Sequence, residues 1–463
     1  MFEDKAEYIM REATSLGVHY AEVRFEDTIY ESLTYVNGRI LGIGHTRMRG
    51  AGIRVVINGS VGFASTTILS KEELVKALKE AISIAKAIGK GRIKFSKEEP
   101  SKGSFSLENV KEHPGNVEWD YKIDLTKRVY EAARGDKAVS TTSRYAAYYG
   151  LIEFYNIEGY STCFKPLLIG LGTFTVTKIN GKTGDGAETV GASKGLELFK
   201  SKTPEEIGSK AYKKALEKAK AKYTSPGQQT VIIAPRLAGV FAHESFGHLS
   251  EADNIVSGVS PLTGKVGEKI ASDAVTIIDE GIVTNGGYFI PVDDEGVITR
   301  KVVLVDKGIL KGYLHSRESA ALLGAQSTGN ARSQDFRYEP IIRMRNTYFD
   351  KGEWNKEEII SETKRGLFLD DPRGGQVNLD GTFTFTASRG YIIENGEIKE
   401  PVRDVVLAGN ILEMLKYVDA ASKDVEIFTS PFGGCGKWGQ RAFVGLGGPT
   451  LRVTRLMVGG RRE

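Results

Sequence analysis

The chain has 463 residues, of which 40% are hydrophobic and 26% charged, so it can form two or three domains with their own cores and is not a disordered chain. Its 63 basic and 59 acidic residues leave a net charge of +4 spread along the chain, which makes a nucleic acid an unexpected partner. The sequence contains no apolar stretch of the ~20 residues that a membrane span needs, and its acidic, amphipathic start is unlike a signal peptide. We therefore expect a soluble, cytoplasmic protein with unpaired cysteines.

The first 223 residues show one order of predicted elements twice. Apolar residues at helical spacing predict a helix over residues 3–16, β-like runs follow from residue 20 to residue 67, and a second helix covers residues 71–88. A helix near residues 124–134, further β-like runs and a helix over residues 203–222 repeat this order. The sequence therefore predicts an N-terminal α+β domain over residues 1–223 with an internal duplication of helix, antiparallel strands and helix.

A Pro-Gly turn within residues 224–229 marks the joint to a second predicted domain. The run TVIIAP after it predicts a strand, and Pro235 suits the first turn of the helix that follows. The rest of the chain is rich in strand and turn patterns, with helices expected near residues 317–324, 355–364 and 408–418. We predict a strand-rich C-terminal domain over residues 226–463, built on a mostly antiparallel, strongly curved sheet or a barrel.

The segment HESFGH at residues 243–248 holds two of the six histidines, and imidazoles are common zinc ligands. In a regular α-helix a five-residue step turns by ~140°, so the rings of His243 and His248 would point apart. One π-type turn, with its i→i+5 period, brings both rings to the same side, and Gly247 is the residue most able to allow that distortion. Two unrelated histidines on an amphipathic helix remain the alternative.

Cys435, in a glycine-dense stretch near the C-terminus, is the candidate third ligand. Two imidazoles and one thiolate leave one tetrahedral position of zinc open, which is typical of a catalytic site, whereas the alternative is a lone thiol. Glu244 is then the candidate base for the water that the metal acidifies. Glu251 and Asp253 are candidates to orient a histidine through its second ring nitrogen, with replacement ligands or surface carboxylates as the alternatives.

Two other catalytic patterns fail on position. Ser245 lies about ten residues into a predicted helix, whereas a serine nucleophile of the G-x-S-x-G type needs a strand-to-helix turn. Gly181-Lys182-Thr183 imitates the end of a phosphate-binding loop, but Val176 stands where that loop needs glycine. Any peptidase activity is therefore expected to be independent of ATP.

Several motifs together resemble the TldD/PmbA family, whose members were once called modulators of DNA gyrase. The resemblance rests on the segment His243–His248 with Glu251 and Asp253, and on DDEG at 293–296, STGNARS at 327–333, GGQV at 374–377, CGKWGQ at 435–440 and GPTLRV at 448–453. The PmbA (TldE) branch lacks the metal motif, so the chain is similar to the TldD branch, the metallopeptidase subunit. One departure is Trp438, where the family pattern leads us to expect a polar residue.

The resemblance implies that His243, His248 and Cys435 bind Zn²⁺ and that Glu244 is the catalytic base. It also implies hydrolysis of unfolded or short peptides, including modified precursor peptides, and a TldE-like subunit as partner in a heterodimer, with a homodimer as the alternative. A catalytically silent, zinc-stabilised scaffold and a regulator associated with gyrase or DNA are the competing functions.

Overall fold

The computed structural model describes residues 1–283 and 286–459, so residues 284 and 285 and the last four residues of the predicted C-terminal domain lie outside the described part. It confirms an α+β fold with a helix-and-sheet N-terminal part and a strand-rich C-terminal part. Within the described ranges, no helix is long and apolar enough to cross a membrane. The division at residues 223 and 226 stays a prediction.

The N-terminal part is built on one eight-stranded sheet. Its strands are β1 Tyr20–Val36, β2 Arg39–Ile57, β3 Ser60–Thr66, β4 Lys102–Ser106, β5 Ala138–Asn156, β6 Ser161–Lys165, β7 Leu167–Ile179 and β8 Lys182–Ala192. Its helices are α1 Glu3–Ser15, α2 Lys71–Ile88, α3 Trp119–Ala133, α4 Leu198–Ser201 and α5 Pro204–Lys220, with a 3-10 turn at Pro114–Asn116. The four predicted helices are confirmed, although α3 begins five residues before its predicted start.

Two antiparallel meanders, β1–β2–β3 and β5–β7–β8, join along the antiparallel pair β1–β5. Each meander has a helix packed closely on its last strand at a glycine. A Cβ on Gly62 of β3 would lie 1.9 Å from the carbonyl oxygen of Ala81 in α2, and one on Gly184 of β8 would lie 2.2 Å from that of Ala215 in α5. Only a residue without a side chain permits this approach. The repeated order of elements agrees with the predicted duplication, which stays a hypothesis.

The C-terminal part contains a closed barrel beside a second sheet. Its strands are β9 Gly227–Ile233, β10 Ile277–Glu280, β11 Val302–Asp306, β12 Ile309–Leu310, β13 Ala331–Arg332, β14 Ile341–Ile342, β15 Asn346–Phe349, β16 Arg365–Val377, β17 Thr382–Glu394, β18 Glu397–Asn410, β19 Val418–Ala421, β20 Glu426–Thr429, β21 Cys435–Lys437, β22 Gln440–Ala442, β23 Gly445–Gly448 and β24 Leu451–Gly459. Its helices are α6 Pro235–Val240, α7 His248–Ser250, α8 Ala252–Val256, α9 Arg317–Leu323, α10 Lys356–Ser361 and α11 Ile411–Lys416, with a π-helical turn at Phe241–Gly247.

The barrel closes because β24 pairs with both β9 and β18. The ring runs β9, β16, β17, β18, β24 and back to β9, and its pairs are antiparallel except β9–β16. A separate six-stranded sheet has the order β12-β11-β10-β15-β23-β20. The predicted curved or barrel-like, mostly antiparallel sheet is therefore confirmed, and β9 leads directly from the barrel into α6.

Candidate metal centre

The motif segment is anchored to the barrel by its apolar side chains. Pro235 occupies the first turn of α6, as predicted, where the missing N–H of proline leaves no bond unmade. Phe241, at the start of the π turn, is fully buried and packs edge-on against Phe383 and Phe385 of β17 at 5.1 Å between ring centroids. These contacts fix the position of the residues that follow.

The π-type turn predicted from the five-residue spacing is present over Phe241–Gly247. It brings the imidazoles of His243 and His248 to 5.4 Å between centroids, at an interplanar angle of 80°. The backbone of Gly247 is ordinary helix, with φ −57° and ψ −47°, so its angles do not require glycine, and its expected role in the distortion stays a prediction. Its lack of a side chain also makes room for Met344, whose Sδ would lie 1.9 Å from a Cβ at this position.

Cys435 enters the site on the short hairpin of β21 and β22, far from the histidines in sequence. Its thiol is buried, and its Sγ lies 3.3 Å from Nε2 of His248. The guanidinium of Arg343, itself fully buried, donates hydrogen bonds to the carbonyl oxygens of Cys435 at 2.5 Å and of Gln440 at 3.1 Å. Arg343 therefore holds both strands of the hairpin that presents the sulfur.

The chemistry of this group fits a metal ion. One ligand atom from each of His243, His248 and Cys435 lies within 4.8 Å of the other two. Tetrahedral zinc with N and S ligands places its ligand atoms about 3.5 Å apart, close to the observed sulfur–nitrogen distance. Both ring nitrogens of the buried His243 have no hydrogen-bond partner among the described residues, and such polar atoms are costly to bury unless something binds them.

The carboxylate of Glu251 connects His248 to a lysine. Its Oε2 lies 2.9 Å from Nδ1 of His248 and 3.0 Å from Nζ of Lys437, which also pairs with Asp253 at 2.5 Å. Glu251 is fully buried, so it is not a surface carboxylate, whereas Asp253 contacts the lysine rather than a histidine ring. A carboxylate that accepts from the second nitrogen of an imidazole fixes the orientation of the ring.

Charges within the group favour the ionised thiol that a metal binds. Burial by itself would raise the pKa of Cys435, but the imidazoles of His243 and His248 lower it to about 5. Burial would likewise raise the pKa of Glu251, and the charges of His248 and Lys437 hold it at about 2. The group therefore contains a thiolate and a carboxylate at neutral pH, both balanced by nearby positive charge.

Glu244 borders an open cleft beside the metal centre. Its Oε2 lies 3.8 Å from Nε2 of His248, and its side chain is 42% exposed. The cleft has a volume of about 300 Å³, and Lys437 and Trp438 line it from the hairpin side. The carboxylate thus lies between the ligand group and a space large enough for part of a peptide.

Lys437 and Arg343 were not among the residues predicted from the sequence. A signal for Lys437 was available, because residues two apart in a strand share a face and Lys437 follows Cys435 by two. No local pattern marks Arg343, which reaches the hairpin only through the tertiary fold.

The chain matches proteins with known names along its length. Sequence patterns of the PmbA/TldA metallopeptidase match at residues 21–85 for domain 1, 112–219 for the central domain and 226–460 for the C-terminal domain. A metalloprotease of Methanothermobacter thermautotrophicus is 37% identical over 446 residues, which are 96% of each chain. The zinc metalloprotease TldD homolog of Saccharolobus solfataricus is 30% identical over 459 residues, 97% of this chain and 99% of that one.

The crystal structure of TldE from Thermococcus kodakarensis matches with a TM-score of 0.81 over 98% of this chain and 100% of that one, at 22% identity. A Thermotoga maritima structure gives 0.82 over 99% and 100%, at 24% identity. At these identities the two structures show a shared fold. Since the domain patterns and the more similar relatives cover nearly the whole sequence, the chain belongs to the PmbA/TldD family of metallopeptidases.

Proposed function

We propose that the protein is a zinc-dependent, ATP-independent peptidase that hydrolyses peptide bonds in short or unfolded peptides, modified precursor peptides among them. One observation supports this most directly. The buried His243, whose two ring nitrogens have no hydrogen-bond partner in the described part of the chain, lies beside a second imidazole and a thiolate. A partly exposed carboxylate borders the same group. A closed structural zinc site has no need of that carboxylate or of a cleft beside it.

In this proposal His243, His248 and Cys435 hold the metal. Zinc bound there supplies a Lewis acid that acidifies a water molecule and polarises the peptide carbonyl. Glu244 accepts the proton from that water and delivers it to the departing amine. Glu251, fixed by Lys437, accepts a hydrogen bond from Nδ1 of His248 and so holds the ring with Nε2 toward the metal.

The proposed assembly pairs this chain with a TldE-like subunit in the cytoplasm, with a homodimer as the alternative. In it the barrel-containing part, residues 226–463, carries the catalytic group, and residues 1–223 form a separate domain. The relatives named metalloproteases support the reaction type, and the likeness to TldE supports only the fold of such a partner.

The test combines metal analysis with peptide cleavage. The purified chain, alone and with a TldE-like subunit, is loaded with zinc and incubated with an unstructured peptide, and products are identified by mass spectrometry. We expect Glu244→Gln to keep the zinc of the wild type and to lower kcat at least about 10²-fold, because it removes the general base. Glu413→Gln, an exposed glutamate on α11, is the matched control and should cleave normally.

The competing scaffold function gives a different result. A silent, zinc-stabilised scaffold binds zinc but cleaves no peptide even with a partner subunit present. Full cleavage by Glu244→Gln would remove Glu244 from the proposed role. A protein that binds no zinc would contradict the ligand assignment of His243, His248 and Cys435.

A further inference from the structure

The cleft beside the metal centre has an apolar side that the proposed chemistry does not use. Trp438 is 70% exposed and Leu379 is 45% exposed, and both line the cleft that contains Glu244 and His248. Val377 and Leu249 add apolar side chains to the lining of the same cleft. Exposed apolar side chains gathered at a concave site next to polar groups are typical of ligand binding.

Trp438 occupies a backbone position that disfavours it. The hairpin turns from Lys437 to Gln440 through Trp438 and Gly439, whose φ angles are +50° and +75°. A two-residue turn with both φ angles positive is of type I′, where Asn, Asp and Gly are preferred and bulky residues are strained. Strain of this kind at the edge of a reactive site suggests that the side chain has a function there.

The indole lies beside the lysine that contacts Glu251. Nζ of Lys437 lies 5.1 Å from the ring centroid of Trp438 and 3.0 Å from Glu251, which contacts His248. Because the same ammonium pairs with Asp253 as well, its charge is already balanced by two carboxylates. The cleft therefore offers a substrate an apolar surface here rather than a free positive charge.

We propose that Trp438 and Leu379 form a subsite for one large apolar side chain, aliphatic or aromatic, close to the peptide bond that is cleaved. This inference rests on the proposed peptidase function and names its substrate class, peptides with a large apolar residue beside the scissile bond. A side chain between an indole and a leucine loses contact with water, and we expect about a tenfold gain in kcat/KM over a small polar residue.

Peptides that vary one residue at a time among Leu, Phe, Ser and Asp test this subsite on the zinc-loaded chain with its partner subunit. Cleavage positions from mass spectrometry show which peptide position carries the preference. We expect the tenfold preference for Leu and Phe to fall to about twofold in Trp438→Asn, since Asn suits the turn and removes only the indole. Trp438→Phe should keep the preference for Leu and Phe, and Leu379→Asn should reduce this preference. Leu41→Asn changes an exposed leucine on β2, outside the cleft, and should leave it intact.

Calorimetric binding of the same peptides to zinc-loaded Glu244→Gln separates this subsite from the peptidase function. If the wild type cleaves nothing but Glu244→Gln binds Leu and Phe peptides about tenfold more tightly, and the added Trp438→Asn change abolishes that difference, the peptidase function fails. Trp438 and Leu379 then still form a binding site for an apolar peptide side chain, without a scissile bond beside it. Equal binding and cleavage of Leu and Ser peptides, or an unchanged preference in Trp438→Asn, overturns the subsite. A uniform loss for all peptides together with a changed oligomeric mass assigns Trp438 to a subunit contact and also overturns it.

Discussion

Substituting Gly247 by alanine tests why a glycine stands inside the π turn. The backbone angles of Gly247 suit any residue, and alanine favours a helix over glycine by about 1 kcal/mol. Its Cβ, however, would lie 1.9 Å from Sδ and 3.2 Å from Cε of Met344, which is fully buried. Moving a buried side chain in this way costs about 1–3 kcal/mol, so we expect a net destabilisation of about 1 kcal/mol.

The Met344→Ala background should reverse the sign of that effect. Met344→Ala alone leaves a cavity and costs about 2–5 kcal/mol. Adding Gly247→Ala then no longer meets the sulfur, and only a tight contact of its Cβ with the carbonyl oxygen of Ala242, at 3.2 Å, remains. The change gains helix propensity and fills part of the cavity, so it should stabilise by about 1 kcal/mol. The two changes therefore couple by about 2 kcal/mol in a double-mutant cycle.

Urea denaturation of the four metal-free proteins measures the free energies of unfolding, and chelator competition measures zinc affinity. We expect zinc binding to weaken in Gly247→Ala, because the displaced turn carries His248, and to recover in part in the double variant. An equal free-energy cost of Gly247→Ala in both backgrounds would exclude the contact with Met344 as the reason for the glycine. That result would return the glycine to the role expected from the sequence, which is to permit the π conformation itself.

Three further outcomes follow from single contacts. Glu251→Gln should weaken zinc binding about 10–100-fold by chelator competition, because it removes the charge that orients His248, and an unchanged affinity would contradict this. Burial raises the pKa of Glu26 to about 7, above its ordinary 4.5, so its contribution to stability is present below pH 4.5 and lost as the pH rises through 7. Relative to Glu26→Gln, the free energy of unfolding of the wild type should fall by about 3 kcal/mol between pH 4.5 and 8 in denaturation experiments. If the free energies of the two proteins change with pH in the same way, the pKa of Glu26 is not raised. Gly184→Ala should cost about 1–3 kcal/mol, because its Cβ meets the backbone of α5, whereas Gly42→Ala, with open space around it, is the control.

Local patterns in the sequence were sufficient for most elements and for part of the site. The helix over residues 71–88 has the same ends in the structure, since Ser70 accepts from the N–H of Glu73 and Gly89 follows its last turn. The π turn followed from the five-residue step between His243 and His248, because the period of a helix determines which residues share a face. Such features depend on residues close in the chain.

The tertiary structure decided three contacts of the site. They are the approach of Cys435 to His248, the salt bridge from Lys437 to Glu251, and the hydrogen bonds from Arg343 to the hairpin of β21 and β22. Closure of the barrel was also decided by the tertiary structure, since it depends on β24 pairing with β9, which lies more than 200 residues earlier in the chain. Residues so far apart in sequence meet only after many strands have paired, and no short period in the sequence encodes such a contact. The sequence by itself thus determined the candidate metal ligands and the local turn that aligns two of them. The fold decided which charged groups surround that metal group and which apolar side chains line the cleft beside it.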